Sequence, residues 1–171
     1  MRMRKRHNLE PRMEKCAGYI IKNSTAHCGR WMQDFPGYEK LYVELGCGKG
    51  RFTADTAASM PDTLFLAIEK VPDAMIIAME RIRDRELENV RFIDGDAAAL
   101  TEMFAPGEAD RIYINFCNPW NRGKHNKRRL THTRQLVQYK TILKPEGEIR
   151  FKTDDDQLFE ESLEYFNEAG C

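Results

Sequence analysis

Five short apolar runs, each closing on a glycine or polar segment and each followed by a stretch of helical character, leave this chain very few architectures. The runs cover 41–45, 64–68, 90–93, 111–116 and 148–152. Between the second and third, Val71, Ala74, Met75, Ala78, Met79 and Ile82 recur at helical spacing and give one apolar stripe. Helices are also expected over 51–59, through Leu130, Val137 and Leu143, and through Leu158, Leu163 and Phe166, with Pro145-Glu146-Gly147 as a turn and Gly170 as the last stop. Strands alternating with helices predict an α/β fold, a mostly parallel sheet with helices on both faces. Ligands of such sheets sit at the carboxyl ends of the strands. That rule places Glu44, Glu69, Asp96 and Asn118 along one rim, although they are far apart in the chain.

The 171 residues suit one domain, read as 16–171, preceded by a basic mobile arm over 1–15. Trp31 and Phe35 are expected to pack onto the domain, and 19–21 to form a short helix or strand. Lysine plus arginine and aspartate plus glutamate number 27 each, so net charge is zero. The zero hides segregation. Cations crowd the first residues and the stretch from Arg122 to Arg134, and acids collect from Asp154 to Glu168. A polyanion responds to the local field, not to the sum. The five cysteines show no C-x-x-C pair and are odd in number, which favours reduced thiols in a cytoplasmic protein over a zinc or disulfide framework. No run is long enough to cross a bilayer, so no membrane partner is expected.

Glu44-Leu45-Gly46-Cys47-Gly48-Lys49-Gly50 joins the first strand to a helix. Glycines there permit positive φ and close approach of a ligand to the backbone, and the helix start offers free N–H groups. A turn without a ligand would use the same residues. Glu44 sharpens the reading, because an acid in a buried strand needs a partner and a ligand ammonium is a natural one. Glu69, about twenty residues on, can accept both hydroxyls of a ribose, a spacing shared by dinucleotide and S-adenosylmethionine sites. Asp96 can accept from an adenine amino group or cap the helix that follows.

The strand over 111–116 breaks at Asn118-Pro119-Trp120 and runs into Arg122, Lys124, Lys127, Arg128 and Arg129 with no acid among them. These five cations read as phosphate binders with salt-dependent affinity. Trp120 either stacks on a base or packs under the loop. His125 and His132 lack metal-ligand spacing. Asp154 can accept from guanine N1–H and the amino group, or cap the last helix.

Together these motifs resemble the bacterial tRNA (guanine-N7-)-methyltransferases. The likeness rests on the glycine segment, Ile68-Glu69-Lys70, Asp94-Gly95-Asp96-Ala97, Asn115-Phe116-Cys117-Asn118-Pro119-Trp120, His125-Asn126-Lys127-Arg128-Arg129-Leu130-Thr131 and Phe151-Lys152-Thr153-Asp154. It implies a Rossmann-like class I methyltransferase sheet that binds S-adenosylmethionine through Glu44, Gly46, Gly48, Glu69, Asp96, Ala97 and Asn118. It further implies that Arg122 and Asp154 contact tRNA, and that the methyl group goes to guanine N7 in the variable loop. No general base is needed, because N7 carries a free lone pair. Asn118 is then the catalytic candidate, aligning the reactants and facing the charge that develops. Two departures stand out. The family usually has Asp, Pro and Lys where this chain has Asn118, Asn121 and Arg122. It also continues past the position of Cys171 through a final strand pair, so an uncovered sheet edge is expected. Three readings follow: the tRNA methyltransferase as a monomer or homodimer, a weakened S-adenosylmethionine- or tRNA-binding remnant of it, and a small-molecule methyltransferase with an incidental basic patch.

Overall fold

The computed structural model describes residues 7–171. Six strands form one sheet in the order β1-β4-β3-β2-β5-β6, and every pairing is parallel. The strands are β1 (Ile20–Ile21), β2 (Lys40–Leu45), β3 (Thr63–Glu69), β4 (Val90–Asp94), β5 (Ala109–Asn115) and β6 (Leu143–Lys152). The helices are α1 (Leu9–Lys15), α2 (Trp31–Asp34), α3 (Arg51–Ser59), α4 (Pro72–Asp84), α5 (Leu100–Met103), α6 (Thr133–Ile142) and α7 (Asp156–Glu168). After β2 the chain winds outward through β3 and β4, then returns to pair β5 on the other side of β2. The crevice between the carboxyl ends of β2 and β5 is thus the topological switch point.

Strand alternation divides the core in two. Leu41, Val43 and Leu45 of β2 join Leu64, Leu66, Ile68, Ile112 and Ile114 against Leu136, Tyr139 and Ile142 of α6. Tyr42 of β2 points the other way, with Phe65, Phe92 and Tyr113, against Ala54 of α3 and Met75, Met79 and Ile82 of α4. Those α4 residues belong to the stripe read from the sequence. Trp31 is fully buried in the first cluster, stacks with Phe35 and Phe104, and donates its indole N–H to the Met103 carbonyl at 2.9 Å.

Three expectations are corrected. Residues 1–6 of the expected arm lie outside the described residues. Over Leu9–Lys15, however, the chain is helical, with Leu9 and Met13 packed on the second cluster and Arg12 paired with Glu80 at 2.5 Å. A short apolar pair at i and i+4 was enough to dock it. The turn expected at Pro145-Glu146-Gly147 lies inside β6. Register jumps from Ala109↔Leu143 to Arg111↔Glu148, so the extra residues bulge from an edge strand, where a proline's missing N–H is tolerated. Helix α6 is also shorter than expected: it spans Thr133–Ile142, so Leu130 and Leu143 lie outside it, and Val137 on its outer face is 52% exposed.

The three motif glycines do different work. All have positive φ, at 71° for Gly46, 56° for Gly48 and 71° for Gly50. A Cβ at Gly50 would stand 2.6 Å from Ala78 Cβ and 2.8 Å from Ala78 Cα, so this glycine lets α3 and α4 touch. A Cβ at Gly48 would meet nothing within 4 Å. Gly50→Ala is therefore expected to lower stability by about 2–4 kcal/mol through overpacking and backbone strain. Gly48→Ala should lose only about 1–2 kcal/mol of backbone conformation. Urea unfolding measures both, and equal losses would contradict this division.

Candidate functional site

A cleft of about 570 Å³ opens at the switch point. Gly46, Gly48, Glu69, Asp96, Ala97 and Asn118 all border it. Residues from four strand ends are thus brought to one hollow. A larger hollow of about 990 Å³ runs beside β6, between Pro106, Lys144 and Cys171, and contains none of the expected site residues. Among the described residues no group of three or more His, Cys, Asp or Glu side chains is arranged to hold a metal ion, and no helix is long and apolar enough to cross a membrane.

Glu69 ends β3 and organises the mouth of the cleft. Its Oε2 accepts from Gly48 N–H at 2.8 Å, and its Oε1 accepts from Lys70 N–H at 2.9 Å and Val71 N–H at 3.0 Å. Asp96 fulfils its capping reading, accepting from Ala98 N–H at 3.0 Å, and also faces Lys70 Nζ at 3.5 Å. It remains exposed to the cleft.

Glu44 departs from the rim position expected for it. It sits one residue before the end of β2, on the face that carries Tyr42, and is only 2% exposed. Its carboxylate accepts from the Thr53 hydroxyl of α3 at 2.5 Å. The buried acid has found an internal partner under the glycine loop and does not border the cleft. Asn115 Nδ2 lies close by without a hydrogen bond of standard geometry. Burial is the dominant influence and raises the Glu44 carboxyl to about 7, while Thr53 and Asn115 pull it back.

The opposite wall is the 116–120 loop, whose backbone is strained. Phe116 (φ 50°) and Trp120 (φ 45°) are both left-handed, a conformation bulky residues avoid. Asn118 Oδ1 accepts from Trp120 N–H at 3.0 Å and closes the turn. Neither nearby thiol is set as a nucleophile, because burial raises Cys117 to about 11 and Cys47 well above its ordinary value.

The basic stretch forms a 3₁₀ turn over Gly123–Arg128 beside the cleft. Arg122, Lys124, Lys127 and Arg128 are exposed. Arg128 also lies over the Trp120 ring at 5.2 Å from its centre, so Trp120 packs under its own loop as well as bordering the cleft. Arg129 is a correction to the phosphate-binding set. It is 1% exposed, donates to the Pro119 carbonyl at 2.7 Å and pairs with Glu161 of α7. Thr131 bonds Ser162, and His132 packs against Tyr165 while its Nδ1 accepts from Arg134 N–H to cap α6. Helix α7 is therefore the brace of the loop, a role that no local pattern in the sequence announces. Asp154 is exposed after β6, and the cap of α7 is Asp155, which accepts from Leu158 N–H at 2.7 Å. That removes the capping reading from Asp154. The exposed ring of Phe116 was missed because the alternation of β5 directs position 116 inward, and only the left-handed turn sends it out.

A doubly wound parallel sheet with a glycine loop, an acid closing the next strand and a cleft at the switch point defines a Rossmann-like domain. Over 83% of the chain the fold matches an antibiotic-related methyltransferase of known structure, with a TM-score of 0.63, 21% identity and 73% of that chain covered. A family model described as "Putative methyltransferase" matches residues 38–170. The tRNA (guanine-N(7)-)-methyltransferase of Clostridium beijerinckii is 48% identical across 99% of the chain and 80% of its own length. That of Clostridium acetobutylicum is 44% identical over the same shares. The chain belongs to the tRNA (guanine-N7-)-methyltransferase family.

The buried Glu44 gives a pH signature. Its carboxyl ionises near 4.5 ordinarily and near 7 in the fold. Between those values the folded chain keeps a proton that the unfolded chain has lost, so stability falls as pH rises through that window and levels above it. Glu44→Gln should remove this slope and stabilise the ligand-free chain above neutral pH by roughly 3 kcal/mol at most. Urea unfolding across the pH range checks this, and an unchanged slope in the variant would contradict it.

Proposed function

We propose that this chain transfers a methyl group from S-adenosylmethionine to N7 of a guanine in tRNA, acting in the cytoplasm through the domain spanning 16–171. The observation that carries the reading is one cleft bordered by the glycine loop, Glu69, Asp96 and Asn118, with exposed cations on the adjoining turn. The cleft volume falls within the usual range for a cofactor site. Gly48 also fits the cofactor, since its missing side chain faces open space rather than a packing partner.

In this reading Glu69 accepts a ribose hydroxyl on the Oε2 lone pair that its three backbone bonds leave free. Asp96 accepts from the adenine amino group, and Ala97 and the glycines let the ligand approach the backbone. Glu44 supplies negative charge to the ammonium from beneath the loop. When bound, S-adenosylmethionine supplies a methyl carbon on a sulfonium; the N7 lone pair forms the new C–N bond, the C–S pair returns to sulfur, and the positive charge passes to the purine. No proton moves, because N7 carries none. Asn118, its oxygen fixed by Trp120 N–H, holds the loop in the attack geometry and presents its amide to the reactants. Arg122, Lys124, Lys127 and Arg128 take tRNA phosphates, and Asp154 takes the Watson–Crick edge of the guanine.

Nucleoside mass analysis of tRNA incubated with the chain and S-adenosylmethionine should yield 7-methylguanosine. Methyl transfer only to a small molecule would favour the reading in which the basic patch is incidental. Binding is expected to separate into two parts. Glu69→Ala should weaken S-adenosylhomocysteine about 10- to 100-fold, the usual range for a hydrogen bond to a charged group, with tRNA affinity kept. Lys124→Ala with Lys127→Ala should lower the salt slope of tRNA binding by about 2 with the cofactor unaffected. Loss of both ligands in either variant would contradict the assignment.

A further inference from the structure

Phe116 is the side chain that the fold treats most expensively without an evident structural return. It is 57% exposed, and its backbone is left-handed at φ 50°. Strained backbone of this kind persists where surrounding structure enforces it, and it clusters at functional sites. Here the enforcement is visible. The Phe116 N–H donates to the Lys152 carbonyl at 2.8 Å, which extends the β5–β6 pairing by one bond while the side chain leaves the core. The ring then borders the same cleft as Glu69, Asp96 and Asn118.

The second aromatic on that wall is differently placed. Arg128 occupies the Trp120 face at 5.2 Å, and the His125 ring stands 6.0 Å away. Among the described residues, the Phe116 face carries only the ammonium of exposed Lys152, 5.6 Å from the ring centre. A flexible, solvated lysine is readily displaced, and its position shows that a cation fits over this ring.

We infer that Phe116 is the platform on which the reacting purine stacks, and that its ring face stabilises the positive charge methylation places on that base. The inference rests on the proposed transfer to guanine N7. Unmethylated guanine is neutral and stacks on the ring through dispersion alone. As the C–N bond forms, the purine gains a full positive charge, and the negative face of the ring attracts it. The attraction grows along the reaction, so it accelerates the chemical step more than it tightens substrate binding.

The test compares the wild-type chain with Phe116→Leu, which keeps apolar bulk without a π face, and Phe116→Trp, which keeps the face. Initial rates of 7-methylguanosine formation are read at saturating S-adenosylmethionine over a range of tRNA concentrations. Phe116→Leu should lower kcat by roughly 3- to 30-fold, the range a desolvated cation–π contact supports, with a smaller change in KM for tRNA. Phe116→Trp should stay within about threefold of wild type. Thermal melting should match across the three chains, because the ring is exposed and packs on neither core. Equal kcat in Phe116→Leu and wild type, a loss confined to KM, or a Phe116→Trp variant as slow as Phe116→Leu would overturn the inference while leaving the proposed reaction intact. A wild-type chain that forms no 7-methylguanosine would overturn the reaction, and the inference with it.

Discussion

One carboxylate ties three backbone groups together at the mouth of the cleft. Glu69 receives N–H bonds from the glycine loop after β2 and from the two residues just before α4. Each of those segments alone is a strand-to-helix turn with free N–H groups and a positive-φ glycine or a nearby proline. Joined through Glu69, they form a wall of fixed shape. Hydrogen bonds to an ionised acceptor are the strong kind, and backbone donors lose little freedom in making them. The two remaining walls come from the Asp96 turn after β4 and the 116–120 loop after β5, so the switch point of the sheet becomes a hollow and not merely a seam.

The 116–120 loop needs external support because it contains two left-handed bulky residues. Arg129 supplies it. Its guanidinium is withdrawn from solvent to hold the Pro119 carbonyl while pairing with Glu161 and approaching Tyr165 of α7 at 3.5 Å. A half-buried ion pair of this sort is poor evidence of stability in itself but binds its neighbours to one arrangement, since removing Glu161 would leave the buried Arg129 charge uncompensated. The acid-rich last helix is therefore not a counterweight that merely brings net charge to zero. It takes one arginine out of the basic stretch and fixes the remaining four cations at the surface beside the cleft.

Much of this was legible in the sequence, for identifiable reasons. The parallel sheet followed from apolar runs alternating with helical stripes. Gly46, Gly48, Glu69, Asp96 and Asn118 stand at a strand's carboxyl end or in the turn that follows it, and Ala97 opens the 3₁₀ turn after β4, which is where the switch-point rule looks. Glu44 departs from the rim because its side chain faces Thr53 of α3, a contact set by how α3 packs back over β2 and not by any spacing in the sequence. Arg129 looks like its basic neighbours in the sequence because burial of one cation in five depends on Glu161, distant in the chain. The bulge in β6 was read as a turn because Pro145 and Gly147 signal both, and only pairing with β5 decides between them. Phe116 escaped notice because left-handed backbone in a non-glycine residue leaves no mark in composition or period.

The central claim is that four separate strand ends make one ligand site at the switch point. Hydrogen–deuterium exchange of the chain with and without S-adenosylhomocysteine measures this directly. Exchange should slow together over 46–50, 69–71, 95–98 and 116–120, with 143–150 beside the larger hollow unchanged. Protection confined to 143–150, or to one of the four segments without the others, would contradict it.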